Sequence, residues 1–189
     1  MSVCAGIMEW AMFLKNFIRD KNVAALVPSS QLSVRKVCSK INFDKDNVIV
    51  EYGPGTGVFT KYILKKMSPK SKLILIEANK EFTRKLKEIN DPRVILFNGS
   101  AENVEEILNR CNEKSADYVV SGIPFSFFDE ALKRRIISRS YNVLSRRGKF
   151  LIYQYSYHVK RYLQQYFDEI HHDFQPFNIF PLFILEGIK

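Results

Sequence analysis

Residues 49–60 read I-V-E-Y-G-P-G-T-G-V-F-T. An apolar, β-branched run carries one acid, Glu51, and then breaks into three glycines and a proline before turning apolar again. Val48–Tyr52 has the composition of a buried strand. Glycine accepts positive φ and lets a ligand come close to the backbone, and Pro54 stiffens the turn. The spacing G-x-G-x-G differs from the G-x-G-x-x-G of dinucleotide binders, and no Lys-Ser or Lys-Thr follows to make a phosphate loop.

Working outward, short apolar runs alternate with amphipathic stretches. Strands are expected at 48–52, 72–76, 93–97, 117–121 and 149–155. Helices are expected at 58–67, 79–89, 101–112, 129–145 and 158–169. The aromatic tail, 173–187, suits one or two closing strands around Pro176 and Pro181. This alternation implies a doubly wound α/β fold, a Rossmann-like seven-stranded and mostly parallel sheet with helices on both faces. In such sheets ligands bind outside the carboxyl ends of the strands, at the topological switch point. Glu77 falls there, closing the second strand twenty residues after Gly57. A carboxylate at that strand end can accept hydrogen bonds from both hydroxyls of a ribose. Glycine loop and strand-two acid together suit an adenosine-containing cofactor without a pyrophosphate.

The totals bound the rest. The chain has 189 residues, 46% of them hydrophobic, enough for a sizeable core. Cys4, Cys38 and Cys111 are odd in number and far apart, so neither a disulfide framework nor a zinc site is expected, and no metal. A reducing cytoplasm fits. No run reaches the roughly 18–20 apolar residues of a membrane span. The apolar N-terminus carries Glu9 and Lys15 and lacks the basic opening of a signal peptide. The formal charge of +9 points to an anionic partner, either nucleic acid, an acidic membrane surface or a phosphorylated substrate.

Residues 1–30 form a separate unit ahead of a domain at 31–189. At about 100° per residue, Ile7, Trp10, Ala11, Phe13, Leu14, Phe17 and Ile18 fall in an arc of roughly 160°. Flanked by Lys15, Arg19 and Lys21, such an amphipathic helix can lie in a membrane interface, pack on the sheet, or cover the cofactor. Trp10, Phe13, Lys15, Phe17 and Arg19 are the candidate membrane or substrate contacts.

E-Y-G-P-G-T-G-V-F-T with I-E-A-N downstream resembles the class I S-adenosylmethionine-dependent methyltransferases. The resemblance covers nearly the whole chain. It implies S-adenosylmethionine as cofactor and S-adenosylhomocysteine as product, with Glu51, Gly53, Gly55 and Gly57 at the methionine part and Glu77 and Ala78 at the ribose. After the third strand, N-G-S-A-E places Ser100 and Ala101 where family members often carry an adenine-contacting acid, with Glu102 two residues beyond Ser100.

Strand four ends S-G-I-P-F, Ser121 to Phe125. This is similar to the N-P-P-Y and N-L-P-F turns of amino-group methyltransferases, with Ser121-Gly122 in place of the Asn. It is closer to the S-G-L-P segment of small bacterial phospholipid N-methyltransferases. The block at 13–30, the cluster Tyr153-Gln154-Tyr155 and the tail F-N-I-F-P at 177–181 are also similar to that subfamily. The resemblance implies methylation of an ethanolamine headgroup by a cytoplasmic enzyme, peripheral on the inner face of an anionic or zwitterionic membrane. Aromatic faces stabilise methylated ammonium products by roughly 0.5–2 kcal/mol each. Tyr155 is the expected catalytic aromatic, with Phe125 across the mouth and Ser121 at the cofactor and acceptor. Two other readings stay open: an rRNA adenine N6-methyltransferase, with RNA as partner, and a non-catalytic cofactor-binding protein that docks on a membrane or partner. The short chain beyond the last expected strand argues against the first of these.

Overall fold

A computed structural model describes residues 31–154, 156–175 and 182–189. Seven strands form one sheet: β1 (Val48–Tyr52), β2 (Lys72–Glu77), β3 (Val94–Asn98), β4 (Ala116–Ser121), β5 (Leu144–Gln154), β6 (Glu169–Gln175) and β7 (Leu182–Ile188). Their order is β3-β2-β1-β4-β5-β7-β6. The first five run parallel, and β7 lies antiparallel between β5 and β6. The chain therefore reverses its winding between β1 and β4, and a ligand crevice opens at the carboxyl ends of those two strands.

Period-two alternation builds two cores. Ile49, Leu73, Leu75, Val120 and Leu151 face one side, under α1 (Gln31–Cys38), α2 (Val58–Lys66) and Leu86 of α3 (Lys80–Leu86). Val50, Tyr52, Ile74, Val119 and Phe150 face the other, under α4 (Val104–Arg110), α5 (Glu130–Val143) and α6 (Lys160–Leu163). Strands buried on both faces read as continuous apolar runs, which is why V-I-V-E-Y and K-L-I-L-I were legible. The doubly wound seven-stranded sheet expected from the sequence is present.

Several boundaries differ. Strand β5 begins at Leu144, five residues early. Leu144 pairs with Ala116, then the register shifts before Tyr118 meets Lys149, and Arg147 takes φ 65° inside that irregularity. The helix expected at 158–169 is one turn, Lys160–Leu163, because β6 takes over at Glu169. The helix expected at 101–112 opens with a 3₁₀ turn at Ala101–Asn103. The amphipathic unit at 1–30, with Trp10, Phe13, Lys15, Phe17 and Arg19, lies outside the described residues, as do Tyr155 and the segment 177–181. No helix among the described residues is long and apolar enough to cross a membrane.

Candidate active site

The glycine loop joins β1 to α2. Gly53, Gly55 and Gly57 all take positive φ, at 63°, 57° and 78°. Gly53 is further required for space, since a Cβ there would lie 2.8 Å from Cγ2 of Ile123. The loop is pinned from neighbouring strand ends: the Gly53 N–H donates to the Ile76 carbonyl at 2.9 Å, and the Gly122 N–H to the Tyr52 carbonyl at 3.1 Å.

Two acids lie beneath this loop. Glu77 accepts the Gly55 N–H at 3.0 Å on one carboxylate oxygen and the Asn79 N–H at 2.8 Å on the other. Burial pushes its carboxyl upward, and the backbone donors oppose that shift. Each oxygen keeps a second acceptor position, as two ribose hydroxyls would need. Asn98 steadies the same corner by donating to the Glu77 carbonyl at 2.8 Å.

Glu51 is 0% exposed. Thr60, one turn into α2, donates its hydroxyl to one carboxylate oxygen at 2.8 Å. The other oxygen has no hydrogen-bond partner among the described residues, and neither does the buried Ser121 hydroxyl on the adjacent strand end. Burial first, then the Glu77 charge, push the Glu51 carboxyl up to about 8. A buried polar atom without a partner costs roughly 1–3 kcal/mol, and here two such atoms lie at neighbouring strand ends. An ammonium group seated against Glu51, and a polar ligand at Ser121, would satisfy them. The residues present thus fit a cofactor with an amino-acid end and a ribose.

After β3, the Ser100 hydroxyl caps the following turn by accepting the Glu102 N–H at 3.4 Å, and Ala101 is buried. Glu102 points away to α5, accepting from Arg135 at 3.0 Å. Ala78 is exposed beside Glu77. Phe125 is corrected by the structure: it is 1% exposed, edge-on to Phe128 at 5.9 Å, inside the core rather than open across the mouth. The 3₁₀ turn Phe125–Phe127 rolls the ring inward. Strand β5 ends at Gln154, so Tyr157 does not continue its face and instead packs against His172 and Phe183. Tyr153 does reach the site, and its ring stacks on Phe59 at 4.0 Å and 14°. Thr60 is a partner that sequence reasoning missed, although it closes the quoted stretch one helical turn past Gly57. Among the described residues no cluster of His, Cys, Asp or Glu could hold a metal.

Residues 49–148 match the family model described as a methyltransferase domain. The chain belongs to the S-adenosylmethionine-dependent methyltransferases. This methyltransferase is 30% identical over 187 residues to an ornithine lipid N-methyltransferase of Singulisphaera acidiphila, covering 96% of this chain and 97% of that protein. It is also 30% identical over 129 residues to ribosomal RNA small subunit methyltransferase A of Mesoplasma florum, covering 66% of this chain and 43% of that protein. Among solved structures, the precorrin-6y C5,15-methyltransferase of Geobacter metallireducens superposes with a TM-score of 0.69 at 15% identity, over 87% of this chain and 92% of that one. That likeness concerns the fold. Family membership makes S-adenosylmethionine the methyl donor and sets aside the non-catalytic reading.

Proposed function

We propose that this methyltransferase methylates the amine of a membrane-lipid headgroup. The carrying observation is the end-to-end similarity to the ornithine lipid N-methyltransferase, which spans both chains almost completely. The similarity to the rRNA enzyme stops at less than half of that protein's length. Gly122 also leaves no side chain at the strand-four turn to read a base amine.

In this reading Gly53, Gly55 and Gly57 bring backbone against the amino-acid end of the cofactor, Glu51 pairs with its ammonium, and Glu77 holds the ribose. Ser100 and Ala101 border the adenine, and Ser121 reaches the space between cofactor and acceptor. When bound, S-adenosylmethionine would supply a methyl carbon on a positively charged sulfur, to which the acceptor nitrogen's lone pair would bond as the C–S bond breaks to leave a neutral thioether. The protein's part is alignment, which contributes about 7–11 kcal/mol when reacting atoms are held in line. The acceptor nitrogen must be neutral, so a proton leaves before attack. In this reading residues 1–30 serve as a membrane-contacting segment through Trp10, Phe13, Lys15, Phe17 and Arg19, ahead of the catalytic domain at 31–189, and Tyr155 is the aromatic that stabilises the methylated cation. Phosphatidylethanolamine is the first acceptor to try, and an ornithine lipid the second.

The test incubates the protein and cofactor with vesicles of each lipid and resolves the extracted headgroups by mass spectrometry. N-methylated lipid is expected. Unchanged lipid in both vesicle types, with cofactor bound, overturns the reading.

A further inference from the structure

The backbone at Gly122 does not itself require glycine, because positive φ occurs at Gly53, Gly55 and Gly57 and not there. What it provides is room. A Cβ at Gly122 would lie 2.6 Å from Cζ of Tyr153, and nearer still to the phenol hydroxyl. Real Cβ atoms do not come that close, so the side chain of Tyr153 occupies the volume that any other residue at 122 would fill.

The ring is held there by its stack on Phe59. Strand β5 fixes its backbone through the pairing of Tyr153 with Ile184, and the ring lies flat on Phe59 at 4.0 Å. Phe59 is itself buried in the first turn of α2, directly after the glycine loop. The phenol therefore bridges from the helix that starts at the cofactor loop to the end of β4, across the mouth of the switch-point crevice. The buried Ser121 hydroxyl is the neighbouring residue. A phenol oxygen can accept a hydrogen bond from an N–H while remaining uncharged near neutral pH.

We propose that Tyr153 is an acceptor contact that favours a primary amine over a fully substituted one. Its hydroxyl accepts a hydrogen bond from an acceptor N–H and orients the nitrogen toward the methyl donor. This rests on the lipid-amine reading for the identity of the acceptor. It carries a consequence for the order of methylation. A primary amine offers N–H groups to the phenol, and a neutral dimethylated amine offers none. Tyr153 thus assists the first transfer and contributes nothing through this bond to the third.

The test uses Tyr153→Phe, which removes only the oxygen and keeps the stack on Phe59. Protein saturated with S-adenosylhomocysteine is titrated with dihexanoylphosphatidylethanolamine below its micellar concentration, and binding is followed by calorimetry. Loss of a hydrogen bond to a polar headgroup group is expected to weaken binding about tenfold. On this proposal the hydroxyl serves the acceptor, so S-adenosylhomocysteine affinity is expected to stay within about twofold. In turnover, the variant's rate on the primary amine falls while its rate on the dimethylated short-chain lipid is unchanged. Equal headgroup affinity in both proteins overturns the proposal. So do lost S-adenosylhomocysteine affinity, equal rate loss on both lipids, and failure of the wild-type complex to bind the short-chain lipid. Tyr153-dependent binding without lipid methylation by the wild type would sink the functional reading and leave the acceptor contact standing. Lipid methylation with a binding curve indifferent to Tyr153→Phe would do the reverse.

Discussion

Replacing Glu51 with Gln should flatten the pH dependence of stability in the cofactor-free protein. Glu51 is fully buried, one of its oxygens has no partner among the described residues, and its carboxyl is pushed from 4.5 up to about 8. Between those values the folded state holds a proton that the unfolded state has released. Stability from this group is therefore complete below about 4.5 and declines as pH rises through about 8. The slope reaches about 1.4 kcal/mol per pH unit, and a shift of this size corresponds to on the order of 5 kcal/mol across the window. Urea denaturation of wild type and Glu51→Gln at pH 5, 6, 7 and 8 reads the difference. The Gln variant should lose much less stability over that range, and the two curves should diverge as pH increases. Glu77 is shifted in the same direction, but it is present in both proteins, so subtraction isolates Glu51. Parallel curves would refute the reasoning, because Glu51 would then be ionised in the folded state at neutral pH. A linked effect follows if an ammonium seats against Glu51. Binding S-adenosylhomocysteine at pH 7 should release a proton, seen as a binding heat that depends on the buffer's heat of ionisation, and Glu51→Gln should remove that dependence.

Gly53→Ala forces a side chain into a position at φ 63° and 2.8 Å from Ile123, so a loss of ~2 kcal/mol and weak S-adenosylhomocysteine binding are expected in melts and calorimetry. Arg93 donates to the Leu64 and Met67 carbonyls at 3.0 and 2.9 Å and so caps α2 from β3's entry. Arg93→Ala should cost about 1–3 kcal/mol in urea denaturation while leaving cofactor affinity intact. Glu186 sits between Lys40 at 2.8 Å and Lys149 at 2.7 Å. Burial opposes its ionisation, yet the two ammonium groups hold its carboxyl below the usual value. Its contribution is present above about 4.5 and lost as pH falls through the lowered value, opposite in sign to Glu51. Glu186→Ala should therefore cost about 2 kcal/mol at pH 7 and progressively less as pH falls through the lowered value, read by thermal melts.

The glycine loop and Glu77 were legible because the chemistry is local. Three glycines after a buried strand announce positive φ, which all three take, and Glu77 closes the next strand where the spacing put it. The parallel sheet followed from its apolar runs. The far half of the site was harder to read. The aromatic cluster after strand five offers several candidates, and its sequence does not say which of them reaches the crevice. Tyr153 is distinguished from its neighbours by two distant residues, Phe59 and Gly122, whose proximity depends on β4 and β5 being adjacent. Phe125 reads as an aromatic across the mouth in S-G-I-P-F, but the 3₁₀ turn after Pro124 buries it. The early start of β5 was hidden because an Arg at positive φ has no reliable sequence signal.

The most direct measurement of the central claim is one tube containing methyl-labelled S-adenosylmethionine, phosphatidylethanolamine and ornithine-lipid vesicles, and unmodified ribosomal RNA, partitioned after reaction into organic and aqueous phases. A lipid-amine methyltransferase puts the label in the organic phase, on headgroup nitrogen. Label confined to RNA would contradict it and make an adenine amine the acceptor.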